Sequence, residues 1–160
     1  MLTYKLLEKN DIKDLKKIFS EEKNQINFFK NIGWTEKEII NQLSTKDNYS
    51  LGLLSFSSLI GFIIGNLYIF DKLSEYEILF LYICKKYRKK GYATNLINSI
   101  IQIDCKKPLN HIILEVSETN IEAVKLYRKN KFNEIGKRKK YYYIKNKQRE
   151  NALIFRKILP

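Results

Sequence analysis

The stretch Cys84–Ile101, "CKKYRKKGYATNLINSII", decides how the rest of the chain is read. Lys85, Lys86, Arg88, Lys89 and Lys90 crowd around Tyr87, and Gly91 follows alone. An amphipathic pattern begins at once, with Ala93, Leu96, Ile97, Ile100 and Ile101 on one helical face. The apolar segment Tyr76–Ile83 before it reads as a strand. A strand, a short basic turn and a helix make a place for an anion. The first N–H groups of a helix lack internal partners and carry the positive end of its dipole. Glycine at the junction lets a phosphate approach the backbone closely. The turn is neither the GxxxxGK(S/T) phosphate loop nor the GxGxxG dinucleotide fingerprint. Taken alone, a basic turn before a helix is equally a solvated surface loop.

Outward from this stretch, the pattern is mixed α/β. Met1–Leu7 reads as a strand, and Asp11 as the cap of a helix through about Phe19. Thr35, with Glu38 three residues on, forms a capping box before a helix carrying Ile39, Ile40 and Leu43. Three strands follow near Tyr49–Phe56, Leu59–Phe70 and Tyr76–Ile83, joined by short turns as in an antiparallel meander. The helix of the opening stretch runs from about Tyr92 to Asp104. "HIILEVS" at His111–Ser117 is a strand with little alternation, expected to be central and covered on both faces. A helix at Ile121–Asn130, a strand opening at "KFNEIGK" and a last strand at Ala152–Ile158 complete the order. The expectation is one domain over residues 1–160, with a mostly antiparallel sheet and one strand–helix–strand crossover at its centre.

Composition narrows the function classes. The 160 residues are 44% hydrophobic, which supports a folded core rather than disorder. The net charge of +13 suits an acidic partner, such as nucleic acid or a phosphorylated cofactor. Lys, Asn and Ile are all abundant, so an AT-rich coding bias explains much of that charge equally well. The basic, tyrosine-rich "KRKKYYYIKNKQR" allows a weak contact with RNA or the ribosome, though no RNP, KH or zinc-knuckle pattern accompanies it. Cys84 and Cys105 lack CxxC spacing and read as buried thiols, and His111 is the single histidine, so no metal site is expected. Leu51–Phe70 is long enough to span a bilayer, but Ser55, Ser57, Ser58, Gly61, Gly65 and Asn66 interrupt it, so it reads as two strands and a turn. No signal-peptide pattern opens the chain, and the expected location is cytoplasmic.

"RKKGYA" at Arg88–Ala93 resembles the R/Q-x-x-G-x-G/A loop of the GNAT acyltransferase superfamily, which holds the pyrophosphate of acetyl-CoA. "NIEAVKLYRKNKF" at Asn120–Phe132 resembles the family's second signature, N-x-x-A-x-x-L-Y-x-x-x-G-F. "ILEVSETNIEAVKLY", "GWTEKEI" and "YYYIKNKQRENALIF" together resemble the bacterial RimI group, which acetylates the N-terminal amine of a small-subunit ribosomal protein. The resemblance implies an enzyme acting without metal. It would move an acetyl group from acetyl-CoA directly to a protein N-terminus, in a ternary complex. The same fold acting on a lysine side chain, a polyamine or another small amine is the alternative.

Chemistry and resemblance converge on two residues. Glu115 interrupts an apolar strand, where a carboxylate is costly unless paired, hydrated or used. The resemblance makes it the base; an ion pair with a neighbouring Lys, or a strand end opening to water, is the plainer explanation. Tyr127 is either core packing above Ala123 and Val124 or the acid that protonates the leaving thiolate, and the resemblance favours the acid. It also assigns Leu81, Tyr82 and Ile83 to the acetyl and pantetheine arm through their backbone. Lys89, Lys90, Gly91, Tyr92, Ala93 and Thr94 would form the phosphate loop, with Arg88 just outside it. Asn120 would reach the cofactor, or simply cap its helix. Gly33, Trp34, Tyr142 and Tyr143 would line the peptide groove. Lys131 stands where the signature has glycine, Ala93 replaces a second glycine as the pattern allows, and Asn151 and Ile144 stand where the group often has Asp and Pro.

Overall fold

The computed structural model describes residues 1–21, 34–143 and 149–160. Gly33 and Ile144 lie outside the described residues. Seven strands form one sheet: β1 (Leu2–Leu7), β2 (Ser50–Ser55), β3 (Ser58–Ile69), β4 (Ser74–Ile83), β5 (Leu109–Ser117), β6 (Asn133–Tyr143) and β7 (Arg149–Ile158). Their spatial order is β1-β2-β3-β4-β5-β7-β6. Every neighbouring pair is antiparallel except β4 and β5, which run parallel. Four helices are found among the described residues: α1 (Ile12–Glu21), α2 (Glu36–Leu43), α3 (Tyr92–Ile101) and α4 (Ile121–Lys129). The parallel pair requires a crossover, and α3 supplies it. Leu51–Phe70 is the β2–β3 hairpin, and no described helix is long and apolar enough to cross a membrane.

Each sheet face has its own core. Leu96, Ile97 and Ile100 of α3, with Val124 and Tyr127 of α4, bury against Ile78, Ile112, Leu114, Val116 and Phe155. On the other face, Leu15 and Ile18 of α1 and Ile39 and Leu43 of α2 cover Leu7, Phe62, Ile64, Phe80 and Tyr82. Among the described residues, the buried side chains these two helices meet on the sheet lie on β1, β3 and β4. The outcome for β5 therefore differs from the expected two-sided cover: Ile112, Leu114 and Val116 are buried, while Ile113 and Glu115 on the other face stay half-exposed.

A bulge in β4 gives the sheet its main irregularity. Ile64 pairs with Phe80 and Gly65 with Ile78, so Leu79 is an extra residue. An extra residue turns the following side chains to the other face. Tyr76 and Ile78 accordingly face α3, whereas Phe80 and Tyr82 face α1 and α2. Pairing between β4 and β5 stops at Ile78 and Leu114. Beyond those residues Leu79–Ile83 and Glu115–Ser117 run on without bonding each other.

Local details correct three expectations. Asp11 does not cap α1 directly. It closes a short 3₁₀ turn just before it, accepting the Glu8 N–H at 2.9 Å and pairing with Lys5. Burial of its carboxyl opposes ionisation, but the Lys5 contact prevails and holds it below its ordinary range. Cys84 is buried, but Cys105 is only partly so and turns its thiol to the Lys107 carbonyl. β7 begins at Arg149 rather than Ala152, because Tyr142 and Tyr143 pair with Glu150 and Arg149. Thr35 caps α2 as expected, accepting the Glu38 N–H at 3.3 Å.

Gly65 sits where the bulge begins, and a Cβ there would lie 2.4 Å from both the Glu77 carbonyl and the Tyr76 hydroxyl. That hydroxyl is already committed to the Tyr49 carbonyl at 2.7 Å. Gly65→Ala is therefore expected to destabilise the protein by about 3 kcal/mol, measured as a lowered midpoint in urea unfolding.

Candidate active site

The site gathers where β4 and β5 separate. The chain leaves β4 at Ile83 and re-enters helix at Tyr92, so the N-terminus of α3 lies at the same end of the sheet as the opening. Lys89 and Gly91 both have left-handed backbone, with φ of 58° and 83°. Nothing lies within 4 Å of where a Gly91 side chain would begin, so its surface is open to a ligand. The first intrahelical bond is made by Asn95, donating to the Gly91 carbonyl at 3.0 Å. The N–H groups of Tyr92, Ala93 and Thr94 precede it and remain available to an anion. Arg88 is not an outward cation. Its Nε donates to the Ile83 carbonyl at 2.8 Å and its guanidinium lies over the Tyr82 ring, pinning the loop to the end of β4.

Leu81, Tyr82 and Ile83 pair with β3 on one side and lie past the end of the β4–β5 ladder on the other, the edge from which an extended ligand could bond to the strand. Asn120 is the N-cap of α4, its Oδ1 accepting the Ala123 N–H at 3.2 Å, so that oxygen is already engaged. Asn130 was not singled out from the sequence. Its Nδ2 donates to Thr94 Oγ1 at 3.2 Å and to the Leu126 carbonyl at 2.8 Å, tying the end of α4 to the start of α3.

Tyr127 stands one turn before that tie. Its ring is buried against Phe132 and Phe155, with centroid distances of 5.6 and 6.3 Å. Burial pushes the phenol far above its ordinary pKa, with the Tyr142 phenol a lesser cause. It therefore holds its proton firmly at neutral pH. The end of α4 fixes this ring. Phe132 N–H donates to the Tyr127 carbonyl at 3.0 Å and Lys131 N–H to the Arg128 carbonyl at 3.0 Å, the two bonds of a Schellman cap. Lys131 takes the left-handed position, at φ 65°. The departure from glycine is thus accommodated at a cost in strain rather than by a different cap.

Glu115 occupies the opposite face of the sheet from Tyr127, on the side that α1 and α2 leave uncovered. Its side chain is 25% exposed, and Arg138 Nε meets its Oε1 at 2.7 Å. The plainer reading of Glu115 is an ion pair with a neighbouring Lys; the pair exists, but its partner is an arginine of β6 that the sequence hid inside a basic run. Tyr142 is half-buried beside them. Burial first, then the Glu115 carboxylate, push its phenol up. Tyr142 thus lies within electrostatic reach of both Glu115 and Tyr127. Trp34 is on the Glu115 face, stacked on Phe80 at 5.7 Å. Tyr143 is exposed and lies under the Arg149 guanidinium, 4.1 Å from its ring centre.

A second bulge aims Arg138 and Tyr142. Three residues of β6 lie between them, facing Asn151 alone on β7, and Lys140 has φ 53°. Asn151 holds this bulge from both ends. Its Oδ1 accepts the Lys140 N–H at 2.9 Å, and its Nδ2 donates to Glu118 Oε1 at 2.6 Å. An Asp at this position would keep the first bond and set its charge against Glu118. Glu118 is paired with Lys137 at 2.9 Å, which holds its carboxyl below the ordinary range. Glu150 accepts from Ser117 and Thr119, fastening β7 to the loop that leads into α4.

A cavity of about 660 Å³ lies elsewhere, bounded by Asp14, Ile18, Leu59, Cys84, Lys86 and Tyr87 among others; neither Glu115 nor Tyr127 lines it. Among the described residues no group of three or more His, Cys, Asp or Glu side chains is placed to hold a metal.

A parallel strand pair that parts above a helix N-terminus offers both a strand edge and a ring of free N–H groups to an extended, anionic ligand. The chain belongs to the acetyltransferase (GNAT) family, whose pattern matches residues 12–132. It is 34% identical over 82 residues to the ribosomal protein bS18-alanine N-acetyltransferase of Haemophilus ducreyi, a match covering 51% of this chain and 57% of that relative. Its fold is similar to that of Arabidopsis thaliana NAA60 solved with a bisubstrate analogue, with a TM-score of 0.80 at 20% identity over 99% of this chain and 98% of that one. The same plant enzyme was also solved with acetyl-CoA, with a TM-score of 0.79 at 20% identity and 99% of each chain covered. The ribosomal-protein-S18-alanine N-acetyltransferase of Escherichia coli superposes with a TM-score of 0.77 at 23% identity, covering 98% of this chain and 92% of that one.

Replacing Lys131 with glycine relieves the left-handed strain of the α4 cap. Lys131→Gly is expected to stabilise the protein by about 1 kcal/mol, seen as a melting temperature raised by roughly 2–4 °C, with Tyr127 left in place.

Proposed function

We propose that this chain transfers the acetyl group of acetyl-CoA to the free α-amine of a protein N-terminus, that of a small-subunit ribosomal protein above all. The observation that carries the reading is the placement of Glu115 and Tyr127 on opposite faces of the sheet, with the parted ends of β4 and β5 between them. Acetyl-CoA would supply the activated thioester. The backbone of Leu81–Ile83 would bond its extended arm, and the N–H groups from Lys89 to Thr94 would hold its phosphates. Glu115, facing the other side, would take a proton from the incoming amine, directly or through water. Tyr127, kept protonated by its burial, would give a proton or hydrogen bond to the departing sulfur.

The acceptor side favours an α-amine on chemical grounds. At pH 7 on the order of a tenth of an α-amine of pKa ~7.7–8.0 is already neutral, whereas a lysine at about 10.4 is almost wholly charged. Trp34 and Tyr142 would flank the entering peptide, with Tyr143 at the hairpin's exposed edge. The resemblance to the bS18-alanine enzyme supports a ribosomal protein as substrate.

The reading is tested with acetyl-CoA and two peptides, following CoA release. One is the N-terminal peptide of the organism's own candidate ribosomal protein; the other is N-terminally blocked and carries an internal lysine. Turnover is expected with the free α-amine, falling on the order of a hundredfold in both Glu115→Gln and Tyr127→Phe. Unchanged rates in both variants would overturn the assignment of roles. Acetyl-CoA binding without turnover of either peptide would remove the protein N-terminus as substrate and put small amines in its place.

A further inference from the structure

We propose that Arg138 sets the preference of this site for an α-amine over a lysine ε-amine, by cancelling the charge of Glu115 at the point of attack. The inference rests on the reading that Glu115 faces the acceptor. Arg138 is a positioning and specificity residue in this account, acting on the acceptor through Glu115.

The geometry begins with register. Glu115 pairs with Ile154 of β7, and Ile154 pairs with Gly136 of β6. Arg138 lies two residues further along β6, opposite Ala152, so it shares the Glu115 face. The small side chains of Gly136 and Ala152 leave room for Arg138 to cross β7 and reach Glu115 Oε1 at 2.7 Å. Its guanidinium also lies 5.3 Å from the Tyr141 ring centre, a second anchor from the bulged part of the same strand. Arg138 remains 56% exposed, so its charge faces the open side of the sheet that an acceptor must enter.

The consequence follows from charge. A bare carboxylate at the bottom of an acceptor groove would gather ammonium groups of any kind, lysine and polyamine included. The Glu115–Arg138 pair carries no net charge and offers no such attraction. A lysine of pKa about 10.4 is almost wholly an ammonium at pH 7 and gains nothing from a neutral pair, whereas on the order of a tenth of an α-amine of pKa ~7.7–8.0 is already neutral there and needs no such attraction. The neighbouring charges do not undo this, because Glu118 is already paired with Lys137 and bonded by Asn151.

The test compares kcat/KM for a lysine-free peptide with an open N-terminus and for a blocked peptide with one internal lysine. It uses wild type, Arg138→Gln, Arg138→Met and Arg138→Lys. Both neutral variants are expected to lower the ratio of α- to ε-amine turnover at least about tenfold, chiefly through a lower KM for the lysine peptide. Arg138→Lys is expected to restore most of the ratio. Arg138→Met keeps an apolar stem over Tyr141, so it serves if the glutamine variant folds poorly, and acetyl-CoA binding by each variant reports the fold. An unchanged ratio in both neutral variants, with Glu115→Gln still inactive, would overturn the inference while leaving the role of Glu115 intact. Full α-amine activity in Glu115→Gln would overturn both, and is told apart by that variant alone.

Discussion

The parting of β4 from β5 is the constraint on which the site depends. Two parallel strands bonded along their whole length would leave no backbone free and no passage between the faces. Here the ladder ends at Ile78 and Leu114, and the cause is local. One extra residue, Leu79, turns the end of β4 so that Phe80 and Tyr82 join the core under α1 and α2. Those rings anchor the turned strand, with Phe62 in contact with both and Trp34 stacked on Phe80. Gly65 opposite the bulge leaves space for the Tyr76 hydroxyl, which holds the preceding part of β4 in the core beneath α3. The opening is thus held by packing on both faces.

The two chemical groups are set by different means. Tyr127 is placed by a rigid set of contacts: the Schellman cap after α4, the Phe132 ring, and the Asn130 tie to Thr94 at the start of α3. The start of α3 and the tyrosine therefore belong to one unit, and a shift of either moves the other. Glu115 is placed by a strand, but its surroundings come from the β6–β7 hairpin. Asn151 holds the bulge that brings Arg138 and Tyr142 toward it. In the proposed reading, acceptor recognition would rest on that hairpin and the cofactor side on β4, α3 and α4, so that the first could vary without disturbing the second.

The basic charge has a structural reading as well. Arg88 is spent on the Ile83 carbonyl and the Tyr82 ring, Lys137 on Glu118, Arg138 on Glu115, Arg128 on Glu134 and Lys157 on the Asn130 carbonyl. Individual members of what reads in sequence as undifferentiated basic stretches, Arg88 in one and Lys137 and Arg138 in another, are ties between elements.

Much of this was legible in the sequence. The basic turn, Gly91 and the amphipathic run fixed a strand–loop–helix unit, because a helix N-terminus and a left-handed glycine leave local signatures. The three-strand meander, the capped helix at Thr35 and the carboxylate at Glu115 were readable for the same local reasons. Tertiary structure alone decided the rest. The bulge at Leu79 has no sequence mark, since "EILFLYI" is apolar from Ile78 to Ile83 and shows no change of face, and only the partners in the two cores show that its faces exchange. The partner of Glu115 was equally hidden: Arg138 is one cation in a run of four, and its choice depends on the register of β5, β7 and β6. The half-exposure of Ile113 and Glu115 was hidden too, because a helix's reach across a sheet is set by packing rather than by the strand beneath it. Local chemistry is written in short stretches of sequence, whereas register, cover and charge pairing arise only when distant stretches meet.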